Sequence, residues 1–410
     1  MPDAMVLPLR LKNWRKLSTT GEVKKVHEIF ISLEPVSPIR TGKVKPKGDY
    51  LDTLPYLRGS ILRGAIAEWM KINGKVNEIE QVVQGMRFGN LFPSPNTNVF
   101  SLPFPMTALE CKIQGGFSSE GGHGVLDTLL IALAYSELEK LGAKFPVPMT
   151  LRCRKCKGRM ERVSGFYACK EGNWTKVNPE PVMQTKVALS RYRRASQEQM
   201  LYRVIALRPK HKFVGRIWVD DDAKFPLLRD AVENIGIGAL TTRGFGKAKL
   251  LKSNVNLLKV AERVKKFNEK LREVWSDLAD LAKQVGCQVP NEPSGTYFSV
   301  DLLSPAILHD ENGLPTLQLK LPMNGQFHEP VFGVTQPEFV GGWSTAWGLP
   351  KPTTLGAAMG SVYVFRTDKA ICEIASQLEA LEARGVGEHT DEGLGEILIC
   401  HPFHLEVRQI

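Results

Sequence analysis

No run of about 18 apolar residues free of charge occurs in this 410-residue chain, so no membrane-spanning helix is expected. Met1 to Lys16 has no uncharged apolar core between its basic residues. A secretory signal is therefore not expected, and the chain reads as cytoplasmic. Seven cysteines, an odd count, show no framework spacing, which argues against a secreted disulfide scaffold. Cys287, Cys372 and Cys400 lie scattered in apolar surroundings and read as small core residues. Only eight histidines are present, and none falls in an HExxH pattern or a recognisable triad. His123, in GGHGVLD with Asp127 four residues on, is the most suggestive, and a metal ligand or helix cap explains it as well as acid–base work. The chain has no Gly-Lys-Ser/Thr at phosphate-loop spacing. It also has no dinucleotide fingerprint, because its glycine-rich turn precedes a strand instead of opening a helix.

Apolar content of 43% and charged content of 24% are globular values, and the length suits two domains. Charge is unevenly spread. Residues 1–250 carry 40 Lys+Arg against 23 Asp+Glu, whereas residues 251–410 carry 14 against 20. A basic first half beside a mildly acidic second half points to a polyanionic partner held by the first.

An internal repeat organises the chain. Residues 236–250 read GIGALTTRGFGKAKL and residues 385–399 read GVGEHTDEGLGEILI. At an offset of 149, Gly236, Gly238, Gly244 and Gly246 fall on Gly385, Gly387, Gly393 and Gly395, and Thr241 falls on Thr390. Each loop follows an alternating strand (Phe213–Val219, Gly360–Arg366) and a helical pattern (Phe225–Ile235, Ala370–Arg384), and a further strand follows it. The halves also begin alike, with strands Val26–Leu33 and Thr296–Leu303 running into Ser37-Pro38 and Ser304-Pro305. In the first half a helix follows, with Ser60 as its expected N-cap and Ile61, Ala65, Ile66 and Trp69 as its apolar stripe. The expected fold class is α+β, two tandem ferredoxin-like domains. The expected boundaries are 1–252 for the first domain, with an insertion over about 85–185, and 294–410 for the second. A charged amphipathic helix, Asn256–Val285, would link them across 253–293, and a proline- and glycine-rich stretch over about 313–355 would interrupt the second domain.

Glycines at such spacing admit positive φ and close backbone approach, and peptide N–H groups in such a turn cradle phosphate. The first loop adds Arg243 and Lys247, with Phe245 either stacking a base or anchoring the loop. The second carries Glu388, Asp391, Glu392 and Glu396 and is expected to be structural or protein-facing. Arg58 and Arg63, around the Ser60 helix start, form a second expected anion site. Arg191, Tyr192, Arg193 and Arg194 mix charge and ring as single-stranded RNA requires. Cys153 and Cys156, with Gly158 relieving the bend, read as a zinc knuckle. Cys169 is the expected third ligand and Cys111 the preferred fourth, with His123 behind it. Such a closed zinc site would be structural.

The segments YLRGSILRGAI, GFSSEGGHGVLD, LYRVIAL with FVGRIWV, and GIGALTTRGFGKAKL resemble the RAMP superfamily of CRISPR-associated proteins. They are most similar to its large two-domain Cas-five-like (Csx-ten) subunit of type III-D effectors. The resemblance implies a non-catalytic subunit that grips the 5′ handle of the guide CRISPR RNA and contacts the large polymerase-like subunit and the backbone subunits. The handle contacts it implies are Arg58, Arg63, the Arg191–Arg194 segment and the Gly236–Lys247 loop. Two enzymatic alternatives remain from the same superfamily. One is a repeat-processing endoribonuclease. The other is a backbone subunit that cleaves target RNA through a loop aspartate, with Asp127 or the Asp220–Asp222 run as candidates.

Overall fold

A computed structural model describes residues 26–42, 50–145, 151–190, 192–194, 196–323, 326–344 and 348–406. The first half opens with strand β1 (His27–Pro35), helix α1 (Gly59–Ile72) and strand β2 (Met86–Ser94). A long insertion then carries helix α2 (Leu129–Lys140) and a protruding hairpin of β3 (Pro181–Leu189) and β4 (Ser196–Leu207). Strand β5 (Lys212–Val219), helix α3 (Lys224–Ile235) and strand β6 (Ala248–Lys252) complete the unit. The sheet is antiparallel in the order β2-β5-β1-β6. Ile31, Leu33, Phe213 and Ile217 meet Leu62 and Ile66 of α1 and Leu228 and Val232 of α3, all without solvent exposure.

The second half repeats that order. Helix α4 (Val260–Gln284) precedes β7 (Thr296–Leu302), β8 (Phe332–Val334), β9 (Val362–Thr367), α5 (Ile371–Arg384), β10 (Ile397–Ile399) and the short α6 (Pro402–Glu406). The sheet runs β8-β9-β7-β10, again antiparallel. Numbered within each half, both sheets read second, third, first, fourth. No helix follows β7 as α1 follows β1; small hairpins stand there instead.

Several sequence expectations change here. Helix α1 starts at Gly59 with Arg58 at its N-cap position, so Ser60 lies inside the helix. The insertion begins after Ser94, because β2 is itself an edge strand of the first sheet. Likewise the 313–355 stretch contains β8, an edge strand of the second. The Asn256–Val285 segment is more than a link. Val260, Val264, Phe267, Leu271, Trp275, Ala279 and Ala282 are buried at spacings of three and four. They join α2 and the second sheet in one core, so two helices from outside the second repeat bury the sheet face that its missing helix leaves bare. Cys400 is buried but Cys372 is exposed, so Cys372 is not a core residue. Among the described residues no helix is long and apolar enough to cross a membrane.

Period-two alternation puts Arg216 and Trp218 on the face of β5 away from α1 and α3. That face is covered by the second half, and Arg87, Asn90, Arg216 and Trp218 are all buried. Arg216 donates to Glu396 (3.0 Å), Glu382 (3.0 Å) and Glu28 (3.2 Å), and to the Ile397 carbonyl (3.1 Å). Burial opposes the charge, but Glu396, Glu28 and Glu382 outweigh it and raise the Arg216 pKa. Arg263 of α4 holds the other Glu382 oxygen at 2.9 Å. A second buried knot ties the insertion to the chain's last helix. His404 places Nδ1 2.7 Å from Asp127 and Nε2 2.7 Å from Asp301. Burial lowers its pKa, but the two carboxylates overcome this and push it up to about 10. Beside it, burial pulls His401 down to about 3, and its Nδ1 lies 3.2 Å from the Tyr167 hydroxyl.

Arg216→Ala leaves the buried Glu396 without its cation and takes one partner from Glu382, and is expected to cost about 3–5 kcal/mol of stability in urea unfolding. His404, raised when folded, adds stability below its unfolded pKa of about 6.5 and loses it as pH climbs toward about 10. His401, depressed when folded, loses stability as pH falls below about 6.5. The melting temperature is therefore expected to peak near neutral pH and to fall by about pH 9; a flat or rising alkaline limb contradicts a charged His404.

Candidate functional site

The two glycine-rich loops share one backbone. In the first, Ile237 N–H donates to Gly246 O and Gly246 N–H to Pro38 O, both at 2.9 Å; in the second, Val386 N–H donates to Gly395 O and Gly395 N–H to Pro305 O, both at 2.9 Å. Even the non-glycine left-handed residue recurs, Leu240 at φ 66° and His389 at φ 55°. Gly236 and Gly385, at φ 73° and 75°, close each loop, and a Cβ on either would stand 2.8 or 2.6 Å from the carbonyl of Gly246 or Gly395. Glycine is required there on both counts.

The apices differ. Nothing lies within 4 Å of a Cβ built on Gly244, whereas one on Gly393 would meet Asn90 Oδ1 at 2.5 Å and Gly59 N at 2.9 Å. The second loop is plugged into the first half. Asn90 Nδ2 donates to Gly393 O at 2.9 Å, and Glu396 accepts from Asn90 N–H at 2.9 Å. The first loop presents exposed Arg243, Gly244 and Lys247 to solvent. Arg243 donates to the Tyr202 hydroxyl at 2.8 Å. Phe245 is 3% exposed and packs on Val204 and Ala206 of β4. It is an anchor, not a stacking platform, and Lys186 of β3 lies 5.5 Å above its ring. Lys186 and Tyr202 carried no signal in sequence, because only the β3–β4 pairing brings them to the loop.

The other basic candidates divide. Arg58 donates to Gly341 O at 2.5 Å, and Arg63 pairs with Asp391 (3.3 Å) and Glu392 (3.1 Å) of the second loop. The Gly59 N–H at the start of α1 is taken by Asn90 Oδ1 at 2.9 Å. The expected anion site around Arg58 and Arg63 is therefore taken up within this chain, Arg63 by carboxylates of the second loop and Arg58 by the Gly341 carbonyl. Tyr192, Arg193 and Arg194 crown the β3–β4 hairpin and are exposed, Tyr192 at 97%; Arg191 lies outside the described residues.

In the insertion, the ligand atoms of Cys111, His123, Cys153 and Cys156 all lie within 4.8 Å of one another. Cys111 Sγ is 3.4 Å from Cys156 Sγ, and Cys153 Sγ is 3.5 Å from His123 Nδ1. The knuckle folds through Lys157 N–H to Cys153 O at 2.7 Å, and a Cβ on Gly158 would sit 3.1 Å from Cys156 Sγ. The Cys156 backbone N–H draws the Cys153 thiol down to about 6, favouring the thiolate that ligates metal. Three sulfurs and an imidazole at this spacing can hold a metal ion. Cys169 is not in the cluster. It lies on a strand paired to Asn173–Val177 and packs beside the aromatic cluster of Phe104, Phe166, Tyr167 and Trp174. His123 is the fourth member in its place.

Three of the aspartates named as possible catalysts are engaged. Asp127 accepts from Thr107 at 2.6 Å and pairs with His404. Asp220 pairs with Lys224 at 2.6 Å, and Asp221 accepts the Ala223 N–H at 2.9 Å.

Two family models match the chain: the RAMP superfamily over residues 32–249, and the CRISPR-associated protein (Cas_Cmr3) over residues 173–402. No curated protein matches it in sequence. Among solved structures, it is similar to a chain of a type III-B Cmr-beta complex bound to cognate target RNA. That match has 14% identity and a TM-score of 0.38, covering 86% of this chain and 89% of that one. A chain of a Csm1-Csm4 cassette in complex with cA4 matches at 15% identity and a TM-score of 0.31, over 82% and 87%. Each family model spans just over half of the sequence, and the chain belongs to the RAMP superfamily of CRISPR-associated proteins.

Proposed function

We propose that this chain is a non-catalytic RNA-binding subunit of a type III CRISPR effector ribonucleoprotein, of the type III-D kind, built from tandem ferredoxin-like units. It grips the 5′ handle of the guide RNA and contacts the large polymerase-like subunit and the backbone subunits. One observation carries the reading: of two loops with the same backbone, the acidic one is plugged into its own chain and the basic one stands open. The shared strand order of the two sheets supports the tandem reading. Arg243, Lys247 and the Gly244 backbone supply the phosphate contacts. The exposed Tyr192, Arg193 and Arg194 at the hairpin tip extend that surface with a ring and two guanidiniums. Arg58 and Arg63 act instead in joining the halves. The non-catalytic part of the proposal is supported by Asp127, which is buried against His404 and out of reach of a phosphate.

The metal is proposed to be zinc, held by Cys111, His123, Cys153 and Cys156. A closed four-ligand site of this kind stiffens the insertion and leaves no position for catalysis.

Arg243→Ala combined with Lys247→Ala is expected to weaken single-stranded RNA binding about tenfold at ~0.15 M salt and to reduce the salt slope by about two. Arg63→Ala is expected to lower the melting temperature and leave RNA affinity intact. Undiminished binding by the double variant contradicts the interface, and specific cleavage of repeat RNA by the native chain contradicts the non-catalytic reading. Elemental analysis is expected to find one zinc per chain, lost in Cys153→Ser and His123→Ala and kept in Cys169→Ser; loss in Cys169→Ser contradicts the ligand set.

A further inference from the structure

The repeat supplies an internal comparison for the space behind each glycine-rich loop. In the second half that space is filled by Arg87. Its Nη1 donates to Glu382 O at 3.0 Å and to Ala383 O, and its Nε to Thr390 O at 3.3 Å. The Nη1 amino group thus lies against two carbonyls at the end of α5, groups that a helix leaves without partners of its own, while Nε–H reaches the loop carbonyl of Thr390. At the offset of 149, Glu382, Ala383 and Thr390 correspond to Glu233, Asn234 and Thr241 in the first half. All three line an open cavity of about 480 Å³, together with Gly236, Lys247 and Lys249.

The local geometry is conserved between the two spaces. Glu382 accepts from Ile399 N–H at 2.9 Å, and Glu233 accepts from Leu250 N–H at 3.3 Å, the same pair of positions. In the second half the other Glu382 oxygen takes Arg216 and Arg263. Among the described residues Glu233 has no such partner. Two substitutions change the chemistry there: Lys247 stands where the second half has Glu396, which holds Arg216, and Lys249 where it has Leu398. The first space therefore keeps acceptors, at the end of α3 and on the exposed Glu233 carboxylate, and lines them with the exposed cations Lys247 and Lys249.

A ligand that suits this lining donates N–H groups to its acceptors and sets negative charge against its lysines. A bare arginine from another protein meets the first demand and is repelled by the lysines. Guanine in a nucleic acid meets both: its N1–H and 2-amino group present adjacent donors on one edge, as a guanidinium does, and its phosphates fall on the lysines. The volume is within the ~300–1,000 Å³ of ordinary ligand sites.

We infer that the cleft behind the first glycine-rich loop binds an unstacked guanine of single-stranded RNA, with Glu233 and the carbonyls of Glu233, Asn234 and Thr241 reading its donor edge and Lys247 and Lys249 holding its phosphates. This rests on the RNA-binding reading above and adds a base preference to it.

The test is fluorescence anisotropy of the full chain with short uridine-rich single strands carrying guanosine, inosine (which lacks the 2-amino group) or neither. The native chain is expected to bind the guanosine strand about tenfold more tightly than the inosine strand, the size of one well-placed bidentate base contact. Glu233→Gln keeps an acceptor for Leu250 N–H; it is expected to abolish that preference and leave the uridine-only strand unaffected. Equal affinity of the native chain for guanosine and inosine strands, or a uniform loss in Glu233→Gln, overturns the guanine cleft and leaves the RNA reading standing. Absence of binding to every strand overturns both. Release of a co-purifying protein subunit by Glu233→Gln, with guanosine preference intact, also overturns it and assigns the cleft to a protein arginine.

Discussion

The guanidinium of Arg216 sits at the seam of the molecule, on a strand of the first sheet, and reaches two carboxylates of the second half, Glu382 on α5 and Glu396 just before β10. It is almost without solvent exposure, and so is Glu396. In such a setting a lone charge is far too costly to keep, so each side of the seam requires the other. Arg263 brings α4 to the same Glu382, and Arg87 reaches the end of α5. The consequence is that the back face of the first sheet, which would face water in a free unit, becomes an interior. The two halves are therefore held in one arrangement by groups with directional bonds, where apolar packing alone would tolerate sliding.

That seam explains the unequal fates of the two loops. A glycine-rich turn offers close backbone approach, and nothing in that property specifies whether the visitor is protein or nucleic acid. In the second loop the side chains are Asp391, Glu392 and Glu396, and they meet Arg63, Lys351 and Arg216. In the first loop Arg243 and Lys247 occupy the outer positions and are exposed to solvent. The positive charge of the first half and the acidity of the second are thus partly an internal matter.

Much of this was legible in the sequence, for reasons that can be stated. The loops were visible because positive φ at Gly236, Gly244, Gly385 and Gly393 restricts the residue choice. The strands and helices beside them were visible because each buries one face and so keeps its period. The roles of Arg58 and Arg63 were not visible. A basic residue reads the same whether it waits for phosphate or pairs with an aspartate more than three hundred positions away. Cys169 was misleading for a similar reason. Its separation from Cys156 allowed a ligand, but its strand turns it toward aromatic rings, while a glycine-rich bend carries His123 to the other cysteines. The second half's dependence on α2 and α4 could not be read locally either, since an amphipathic stripe does not name the surface it will cover.

The central claim is that one loop of a duplicated pair meets RNA while its twin is spent inside the protein. Hydrogen–deuterium exchange with and without single-stranded RNA addresses it directly. The account predicts that the apex amides of 241–244 slow when RNA is added, whereas those of 390–393, set against Asn90 and Gly59, do not change. Protection gained at 390–393 on adding RNA, with 241–244 indifferent, would contradict it.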